Sequence, residues 1–314
     1  PRLLRLLVAA PLLAAALPGD AVAAETIGVS SDGREFHGRP SGKRMVPGFV
    51  GLAGRDGGPN DDLADLKAVP ESAGELWRLW RLRPATGPIG RESVIGPDDR
   101  KRVRDTTVYP HSAVVLITFE DQRCTGWMIS RDTVATAGHC VHSGGPRGRW
   151  FRTASYRIMP GRDGGRRPFG ACRARTLYSN TGWTEKGRPA FDYGAIKLTC
   201  SIGTRTGTFG FAWTPGSLNG TEVHVAGYPG ERRFTQWISS GPIELSHKRE
   251  LFYKNDTTGG QSGAPVYAER KGCGVCALAV HAYGLFGRPP YNRHNHGVRI
   301  TREVFEQFQQ WIAD

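Results

Sequence analysis

The sequence predicts an all-β protein that is closed by one C-terminal α-helix. Between residues 113 and 301, short runs rich in β-branched and aromatic residues recur between turn clusters. Such runs without intervening helices are typical of an antiparallel sandwich or barrel. The tail differs, because its apolar residues recur at helical spacing and Thr301 is a candidate N-cap. These apolar residues are Ile300, Val304, Phe305, Phe308, Trp311 and Ile312.

The predicted strands follow one another without a long helical pattern between them. Clusters of residues that favour turns lie between them. They are Ala113–Phe119, Gly126–Ser130, Thr133–Gly138, Gly194–Thr199, Glu222–Tyr228, Phe234–Leu245, Ala264–Tyr267, Cys276–Gly284 and His296–Thr301.

The first 24 residues have the composition of a secretory signal peptide. Arg2 and Arg5 form a basic start, LLVAAPLLAAALP is the apolar stretch, and Ala21–Ala24 offers the small residues of a cleavage site. The apolar stretch is too short for a membrane span, and Pro11 and Pro18 interrupt it. A secreted, extracellular protein with no membrane attachment is therefore predicted.

Residues 25–92 are rich in Gly, Pro, Asp and Arg and show little periodic hydrophobicity. The exception is ELWRLWRLRP (Glu75–Pro84), which is predicted to form a short helix or strand with an apolar face. A segment this poor in core residues, between a signal peptide and a better-patterned domain, indicates a propeptide. The sequence thus predicts a signal peptide at 1–24, a propeptide at 25–92 and a folded domain at 93–314.

Basic charge is concentrated in the last part of the chain. Residues 93–314 carry 30 Lys and Arg against 18 Asp and Glu, whereas residues 1–92 carry 12 and 11. Such a balance suits acidic partners, including nucleic acid. The arginines are scattered, however, and no nucleic-acid-binding motif accompanies them. A solvated basic surface is the prediction, with no nucleic acid as a partner.

Six cysteines in an exported chain predict disulfides. An even count in an oxidising compartment favours bridges, although six cysteines allow fifteen pairings and spacing alone does not choose among them. Cys273-Gly-Val-Cys276 has the spacing of half a redox or zinc site, but no second CxxC accompanies it. His294 and His296, two residues apart in a polar loop, are weak evidence for a metal. Neither a metal nor a cofactor is predicted.

The stretch NDTTGGQSGAPVY (Asn255–Tyr267) places a serine among glycines. Gly259, Gly260 and Gly263 could make a flexible surface turn with Ser262 as a turn residue. They could equally keep side chains away from a nucleophile, so that backbone N–H groups point at an oxyanion. A serine nucleophile needs an imidazole base and a carboxylate that orients this base. The rest of the chain must therefore decide.

Two other stretches supply these partners. VATAGHCV places His139 after an apolar strand, and FDYGAIKL places Asp192 at the start of another. His139, Asp192 and Ser262 occur in the chain order of the chymotrypsin triad. Each has a structural alternative when taken alone, namely a buried histidine, a turn aspartate and a loop serine. Their joint occurrence in this order, in a secreted β protein, favours a catalytic triad.

The same motifs carry a family resemblance. TAGHC, DYGAIKL and TTGGQSGAPVY resemble the trypsin-like serine proteases. SVIGPDDRKRVRDTT, CTGWMIS, AGYPG, LAVHAYG and GVRITREVF narrow the resemblance to the bacterial glutamyl endopeptidases, over nearly all of residues 93–314. The resemblance implies two six-stranded antiparallel β-barrels (a chymotrypsin-like fold) with a C-terminal α-helix and an active site in the cleft between the barrels.

The resemblance also implies roles for individual residues. His139 would be the general base, Asp192 its orienter and Ser262 the nucleophile, with the backbone N–H groups of Gly260 and Ser262 as the oxyanion hole. Thr257 and His281 match positions that bind the substrate carboxylate. The implied function is a secreted serine endopeptidase that cuts protein or peptide substrates after Glu, and less readily after Asp, through an acyl-enzyme.

Gln261 departs from the pancreatic type of this fold. In that type an aspartate before the serine binds the new N-terminal amine, and Gln261 has no charge to do so. In glutamyl endopeptidases the mature N-terminus lies near the specificity pocket, which makes Ser93 an expected substrate-binding residue. Glu92 precedes Ser93, so an enzyme that cuts after glutamate could release its own prosegment. The alternative is a host protease that cuts after Arg91.

The resemblance finally bears on the cysteines and on the alternatives. It implies a Cys124–Cys140 bridge beside His139 and a short Cys273–Cys276 bridge, with Cys172 and Cys200 as the remaining pair. A trypsin-fold protease of other specificity stays open, and so does a catalytically silent homologue that uses the fold for binding. The intact triad motifs argue against the silent homologue. A monomer is expected.

Overall fold

The computed structural model describes residues 26–38, 41–51, 83–84 and 93–314. The predicted signal peptide, Glu92 and most of the ELWRLWRLRP segment lie outside these residues. The described chain forms two nine-stranded sheets and a C-terminal helix, Arg302–Ala313. The all-β fold class with one C-terminal helix, predicted from the short strand patterns, is confirmed.

The first sheet runs in the order β2-β1-β10-β11-β8-β7-β6-β9, and β4 lies beside β7. All of its pairings are antiparallel except that of β4. Its strands are β1 (Gly28–Ser30), β2 (Glu35–Phe36), β4 (Arg83–Pro84), β6 (Val114–Phe119), β7 (Gln122–Met128), β8 (Thr133–Thr136), β9 (Arg157–Pro160), β10 (Ala174–Asn180) and β11 (Gly194–Leu198).

The second sheet contains a closed six-stranded barrel, β13 to β18, because β16 pairs with both β13 and β17. β12 and β3 extend it beyond β17, and β5 pairs with β14. Its strands are β3 (Met45–Val46), β5 (Lys101–Arg102), β12 (Gly210–Ala212), β13 (Glu222–Gly227), β14 (Trp237–Ser246), β15 (Glu250–Tyr253), β16 (Pro265–Arg270), β17 (Gly274–Tyr283) and β18 (Asn295–Arg299).

The first sheet also contains six consecutive strands, β9, β6, β7, β8, β11 and β10 in that order. In the ladders formed by the described residues, β9 and β10 are not joined to each other. The edge of β10 is occupied by β1, with Gly28 opposite Asn180 and Ser30 opposite Tyr178. Residues of the predicted propeptide segment therefore extend this sheet.

The C-terminal helix packs its apolar stripe against a core that both sheets share. Phe305, Phe308 and Trp311 are buried in the main core cluster, as the helical spacing predicts. The Oγ1 of Thr301 accepts a hydrogen bond from the backbone N–H of Val304 at 3.3 Å, so Thr301 is the N-cap. None of the helices in the described residues is long and apolar enough to cross a membrane.

All six cysteines are in disulfides, and their pairing is the one that the resemblance implies. Cys124–Cys140 connects β7 to the turn that carries His139. Cys172–Cys200 connects the segment before β10 to the segment after β11. Cys273–Cys276 closes a short loop at the start of β17.

Candidate active site

His139 and Asp192 meet because the strands beside them are paired. His139 lies in a 3₁₀ turn just after β8, and Asp192 lies just before β11. The pairing of β8 with β11 brings the two residues to the same end of the first sheet. Asp192 accepts hydrogen bonds from the backbone N–H of His139 through Oδ1 and from its ring Nδ1 through Oδ2, each at 2.7 Å.

This contact determines which ring nitrogen of His139 carries the proton. A carboxylate only accepts hydrogen bonds, so Nδ1 of His139 carries the proton and Nε2 has the lone pair. Gly138 and Tyr283 also shape the surroundings of Asp192. A Cβ on Gly138 would lie 2.9 Å from Oδ1 of Asp192, so only glycine leaves room for the carboxylate there. From the other sheet, the hydroxyl of Tyr283 donates to Oδ2 of Asp192.

Ser262 lies buried in the turn before β16, pressed against the first sheet. Its carbonyl accepts a hydrogen bond from the backbone N–H of Thr125 on β7 at 2.9 Å. The next residue, Gly263, has φ +86°, and a Cβ there would lie 2.2 Å from the carbonyl oxygen of Thr125. The Sγ of Cys140 lies 3.8 Å from the carbonyl oxygen of Ser262. Since Cys140 follows His139, the turns that carry Ser262 and His139 are in contact.

Gly260 adopts a backbone conformation that suits glycine, with φ +105°. A Cβ on Gly260 would lie 2.7 Å from the carbonyl oxygen of Tyr228. The carbonyl of Gly259 accepts from the N–H of Gly230 at 2.7 Å, and the carbonyl of Gly260 accepts from Oγ1 of Thr125 at 2.8 Å. Because C=O and N–H of a trans peptide point in opposite directions, the N–H of Gly260 points away from Gly230.

Thr257 and His281 are both fully buried beside the turn at residues 258–264, which we call the nucleophile turn because it carries the expected nucleophile, Ser262. The backbone of His281 bonds to the residues after Ser262, since its carbonyl accepts from the N–H of Gly263 at 2.7 Å. Its Nδ1 lies 2.7 Å from the hydroxyl of Tyr253. The Nε2 of His281 and the Oγ1 of Thr257 are buried with no hydrogen-bond partner among the described residues. Such atoms are uncommon in folded proteins.

The pKa of His281 is lowered to about 3, chiefly by burial, with smaller contributions from the nearby His296 and His139. Burial likewise lowers the pKa of His296 to about 3. Both rings are therefore neutral at pH 7 in the unbound protein. A carboxylate beside His281 would act in the opposite direction and raise the affinity of its ring for a proton.

Ser93 lies directly beside Thr257. Its carbonyl accepts a hydrogen bond from the backbone N–H of Thr257 at 3.3 Å and one from Nδ2 of Asn295 at 2.5 Å. Its backbone nitrogen donates to Oδ1 of Asn295 at 3.0 Å. Ser93 therefore lies next to Thr257, one of the two residues expected to bind the substrate carboxylate.

Two residues that sequence reasoning did not single out connect residues 93–100 to the nucleophile turn. The first is Asp256, which is buried and accepts from two backbone N–H groups of this segment. Its Oδ1 accepts from Ile95 at 2.7 Å and its Oδ2 from Asp99 at 3.0 Å. Its position in NDTT, next to Thr257, is the only signal that the sequence offers.

The second is Arg100, whose guanidinium is buried behind the nucleophile turn. It donates to Oγ1 of Thr258 at 2.8 Å and to Oε1 of Gln261 at 3.4 Å. Asp98 and Glu231 each approach it to 2.8 Å and balance its charge. Gln261, which lacks the negative charge of the pancreatic type, is therefore held by a cation and by the N–H of Thr258 at 3.0 Å.

One group of possible metal ligands exists among the described residues. The ligand atoms of Cys124, His139 and Cys140 lie within 4.8 Å of one another. The two sulfurs are bonded to each other, so the imidazole is the one donor that this group offers. These residues do not fit a metal ion.

Comparison with known proteins gives a consistent result. A family model described as a trypsin-like peptidase domain matches residues 124–275, a range that contains His139, Asp192 and Ser262. The glutamyl endopeptidase of Bacillus licheniformis is 46% identical over 233 residues, which cover 73% of this chain and 72% of that protein. A protein named extracellular metalloprotease from Bacillus subtilis is 37% identical over 227 residues, 70% of this chain and 69% of that protein.

Solved structures show the same fold. A Glu endopeptidase in complex with MPD has a TM-score of 0.62 and 25% identity, covering 70% of this chain and 100% of that chain. The protease Anisep from Arthrobacter nicotinovorans, at 18% identity and a TM-score of 0.55, supports the fold alone. With 46% identity over about three quarters of the chain as the strongest of these observations, the protein is a serine endopeptidase, and it belongs to the glutamyl endopeptidase family of trypsin-like peptidases.

Proposed function

We propose that the protein is a secreted endopeptidase that cuts after glutamate, and less readily after aspartate, by means of the triad His139, Asp192 and Ser262. The observation that carries the proposal is that two buried polar atoms beside the nucleophile turn, Oγ1 of Thr257 and Nε2 of His281, have no hydrogen-bond partner within the part of the chain that the structure describes. A glutamate carboxylate would satisfy both of them. Protein or peptide chains are the substrates, and we expect the enzyme to act as a monomer.

The triad geometry supports a two-step acyl transfer. His139 Nε2 takes the proton of the Ser262 hydroxyl while its oxygen attacks the scissile carbonyl. Asp192 keeps the other proton on Nδ1 and stabilises the imidazolium that forms. The imidazolium then gives its proton to the leaving amine. The amine departs, and the acyl group stays on Ser262. Water, deprotonated by the same nitrogen, releases the acid and restores the serine.

The backbone N–H groups of Gly260 and Ser262 are proposed to bind the oxyanion that forms during both steps. The hydrogen bonds of Gly259 and Gly260 to Gly230 and Thr125 hold the peptide planes on either side of Gly260. Fixed donors stabilise developing charge because they need no reorganisation during the reaction. Losing one such donor typically costs about 10²–10³ in turnover.

Specificity for glutamate follows from what the pocket offers a carboxylate. Desolvating a charged group is costly unless donors or positive charge replace the water. Thr257 would donate through its hydroxyl and His281 through its ring. Binding of the carboxylate would raise the pKa of His281 from its low value in the unbound protein, so the ring can take up a proton with the substrate.

Processing would add a third group to the pocket. A cut after Glu92 frees the α-amino group of Ser93, whose nitrogen donates to Asn295 at 3.0 Å and whose carbonyl contacts Thr257. The positive charge of this amine would lie on the side of the pocket where Thr257 binds the carboxylate. Because the bond before Ser93 follows a glutamate, the enzyme itself is the proposed processing protease.

Secretion is proposed from residues 1–24, whose composition is that of a signal peptide. The B. subtilis relative is named an extracellular enzyme, which is in keeping with export of this chain. The three disulfides also suit an oxidising compartment.

A peptide panel tests the proposed specificity. The peptides differ only at the residue before the cut bond, which is Glu, Asp, Gln, Ala or Lys, and kcat/KM is measured for each. We expect Glu to exceed the isosteric Gln by at least about a hundredfold, since Gln leaves the pocket donors without a charged acceptor. Equal rates on Glu and Gln peptides would show that the pocket does not select a carboxylate and would favour a protease of other specificity.

A further inference from the structure

Residues 26–38 and 41–51 belong to the predicted propeptide, yet the structure packs them against residues 93–314. They contact the first sheet, the second sheet and the C-terminal helix in turn. We call this segment the clamp. The elements that it contacts, β10, β12, the helix and the segments around Thr208 and Cys273, carry none of the proposed site residues.

On the first sheet, the clamp adds a strand to the free edge of β10. β1 pairs with β10 in an antiparallel register. Backbone hydrogen bonds continue past both ends of the strand, from Thr181 N–H to Ile27 at 2.9 Å and from Ser31 N–H to Leu177 at 2.8 Å. Phe36 packs edge-on against the ring of Tyr178, with centroids 5.6 Å apart.

Along the C-terminal helix, the clamp makes side-chain contacts. Gln307 donates through Nε2 to the carbonyl of Thr26 at 2.9 Å. The backbone N–H of Ser41 donates to Oε1 of Glu306 at 3.2 Å. The clamp therefore contacts the helix both before β1 and after β2.

On the second sheet, the clamp adds a further strand. β3 pairs with β12, with Val46 opposite Phe211. The N–H of Gly48 donates to the carbonyl of Cys273 at 2.9 Å, and the N–H of Phe49 donates to the carbonyl of Thr208 at 2.8 Å. The partly buried side chain of Val46 packs against the core cluster that both sheets share.

We propose that the clamp stays bound to residues 93–314 after the chain is cut before Ser93, and that it joins the two sheets and the C-terminal helix in the mature enzyme. The cut itself rests on the proposed function, whereas the binding does not. Without the clamp, β10 and β12 would present unpaired N–H and C=O groups at sheet edges, which favour association with other chains. The outermost strand with the clamp in place, β2, has only two residues, and Glu35 on it is exposed. A short, charged edge strand of this kind resists such pairing.

The test separates binding from catalysis. A full-length Ser262→Ala chain carries the recognition site of an unrelated protease in place of residues 87–92, so that the cut falls before Ser93 and does not depend on the chain's own activity. After complete cutting, the sample is run on a size-exclusion column and analysed by intact mass. We expect the clamp fragment to elute with the domain in native buffer and apart from it in denaturant. Separate elution in native buffer would overturn the proposal, whatever the peptide panel shows.

Two glycines of the clamp provide matched variants. A Cβ on Gly48 would lie 2.8 Å from the Tyr109 hydroxyl and 2.9 Å from the backbone nitrogen of Gly210, whereas a Cβ on Gly42 would meet nothing within 4 Å. We expect Gly48→Val to release the fragment at least about tenfold more readily from the cut chain and to lower the Tm of the uncut chain by roughly 5 °C or more. Gly42→Val should match the parent in both.

Equal retention and equal Tm in the two variants would mean that the clamp is not bound as the structure shows, and would overturn the proposal. If Gly48→Val does not fold, the smaller Gly48→Ala is compared with Gly42→Ala in the same assays. Co-elution of the cut Ser262→Ala chain without a glycine substitution is judged independently of the two glycine variants. Peptidase activity of the wild-type enzyme is measured in parallel, so that failure of the proposed function is recognised separately.

Discussion

The two halves of the proposed site are held in different ways. The base half, His139 and Asp192, is set by the neighbouring strands β8 and β11 of the first sheet, and Tyr283 adds one contact from the second. The nucleophile half, the turn with Ser262 and the pocket residues, bonds to residues 93–100 through Asp256 and Arg100. The base half is therefore built within the body of the fold, while the nucleophile half relies on the segment that begins at the proposed cut.

This difference indicates where activation would act. A cut before Ser93 changes the chain end that contacts Thr257 and Asn295, and it leaves the strands around His139 and Asp192 as they are. Substitutions in the two halves should therefore have separable effects on chemistry, specificity and assembly.

The largest effect is expected at the nucleophile. Ser262→Ala should lower kcat/KM by about 10⁵ or more, because the triad acts as a unit, while the fold stays intact. Initial rates on a glutamyl peptide and a circular dichroism spectrum check both parts. Ser217→Ala, an exposed serine on the second sheet side, is the control and should keep full activity. Residual turnover of Ser262→Ala within tenfold of wild type would refute the assignment.

The pocket should give the next largest effect. His281→Ala is expected to lower kcat/KM on glutamyl substrates by about a hundredfold, since a charge-assisted hydrogen bond to a buried carboxylate contributes about 2–3 kcal/mol. Slow cleavage of an alanyl peptide should change much less. An equal loss on both peptides would instead make His281 a structural residue of β17.

Arg100 tests whether the nucleophile half depends on residues 93–100. Arg100→Met should lower kcat by about tenfold to a hundredfold, because the turn with Thr258 and Gln261 loses its charged donor. As a positioning residue, it should leave the pH dependence that His139 sets unchanged. Arg102→Met is the control, because Arg102 is half-exposed and pairs with Asp163. A shifted pH profile, or equal losses in the two variants, would contradict this role.

The last expected effect is on the dependence of stability on pH. The pKa of His281 and that of His296 fall from 6.5 to about 3 on folding, so between these values the unfolded chain binds more protons. The stability that depends on the neutral rings is complete above pH 6.5 and is lost as the pH falls. Each ring should contribute a slope of up to about 1.4 kcal/mol per pH unit.

Urea unfolding of the Ser262→Ala chain at pH 7.0, 6.0 and 5.0 measures this slope without self-digestion. This window lies above the range in which most carboxylates titrate. His281→Gln should flatten the curve by about one ring's share, because the slope of that ring is then removed. An unchanged slope in His281→Gln would show that His281 is not buried as a neutral ring.

The sequence by itself determined the strands that are buried on both sides and the motifs that lie at their ends. VVLITF and GAIKL are rich in β-branched and apolar residues, and they became β6 and β11, which are buried along their whole length. Thr301 and the apolar residues at helical spacing after it predicted the C-terminal helix, because both signals lie within one short stretch of the chain. The motif residues His139, Asp192 and Ser262 lie beside such strands, so the sequence predicted the position of each one relative to its nearest strand.

Other strands were decided by their partners. ARTLYSN in β10 mixes polar and apolar residues, and ELFY in β15 and RIMP in β9 are only four residues long, so no local period marks them. β1 and β3 lie in a segment whose composition predicts a propeptide, and they are strands because the edges of β10 and β12 supply hydrogen-bond partners. Backbone pairing of this kind depends on which edge is within reach, and no residue of the added strand encodes it.

The residues of the proposed site divide in the same way, into those that local sequence predicts and those that only tertiary contacts bring together. The proposed triad and pocket residues were predicted from motifs, whereas the contacts of Arg100 and Asp256 follow from the tertiary structure alone. Arg100 reaches Thr258 across 158 residues of sequence, and Asp256 reaches Ile95 across 161. A buried charge is stable only where the fold collects several partners around it. Asp98, Glu231, Thr258 and Gln261 meet at Arg100 only once the second sheet has closed and residues 93–100 lie against it.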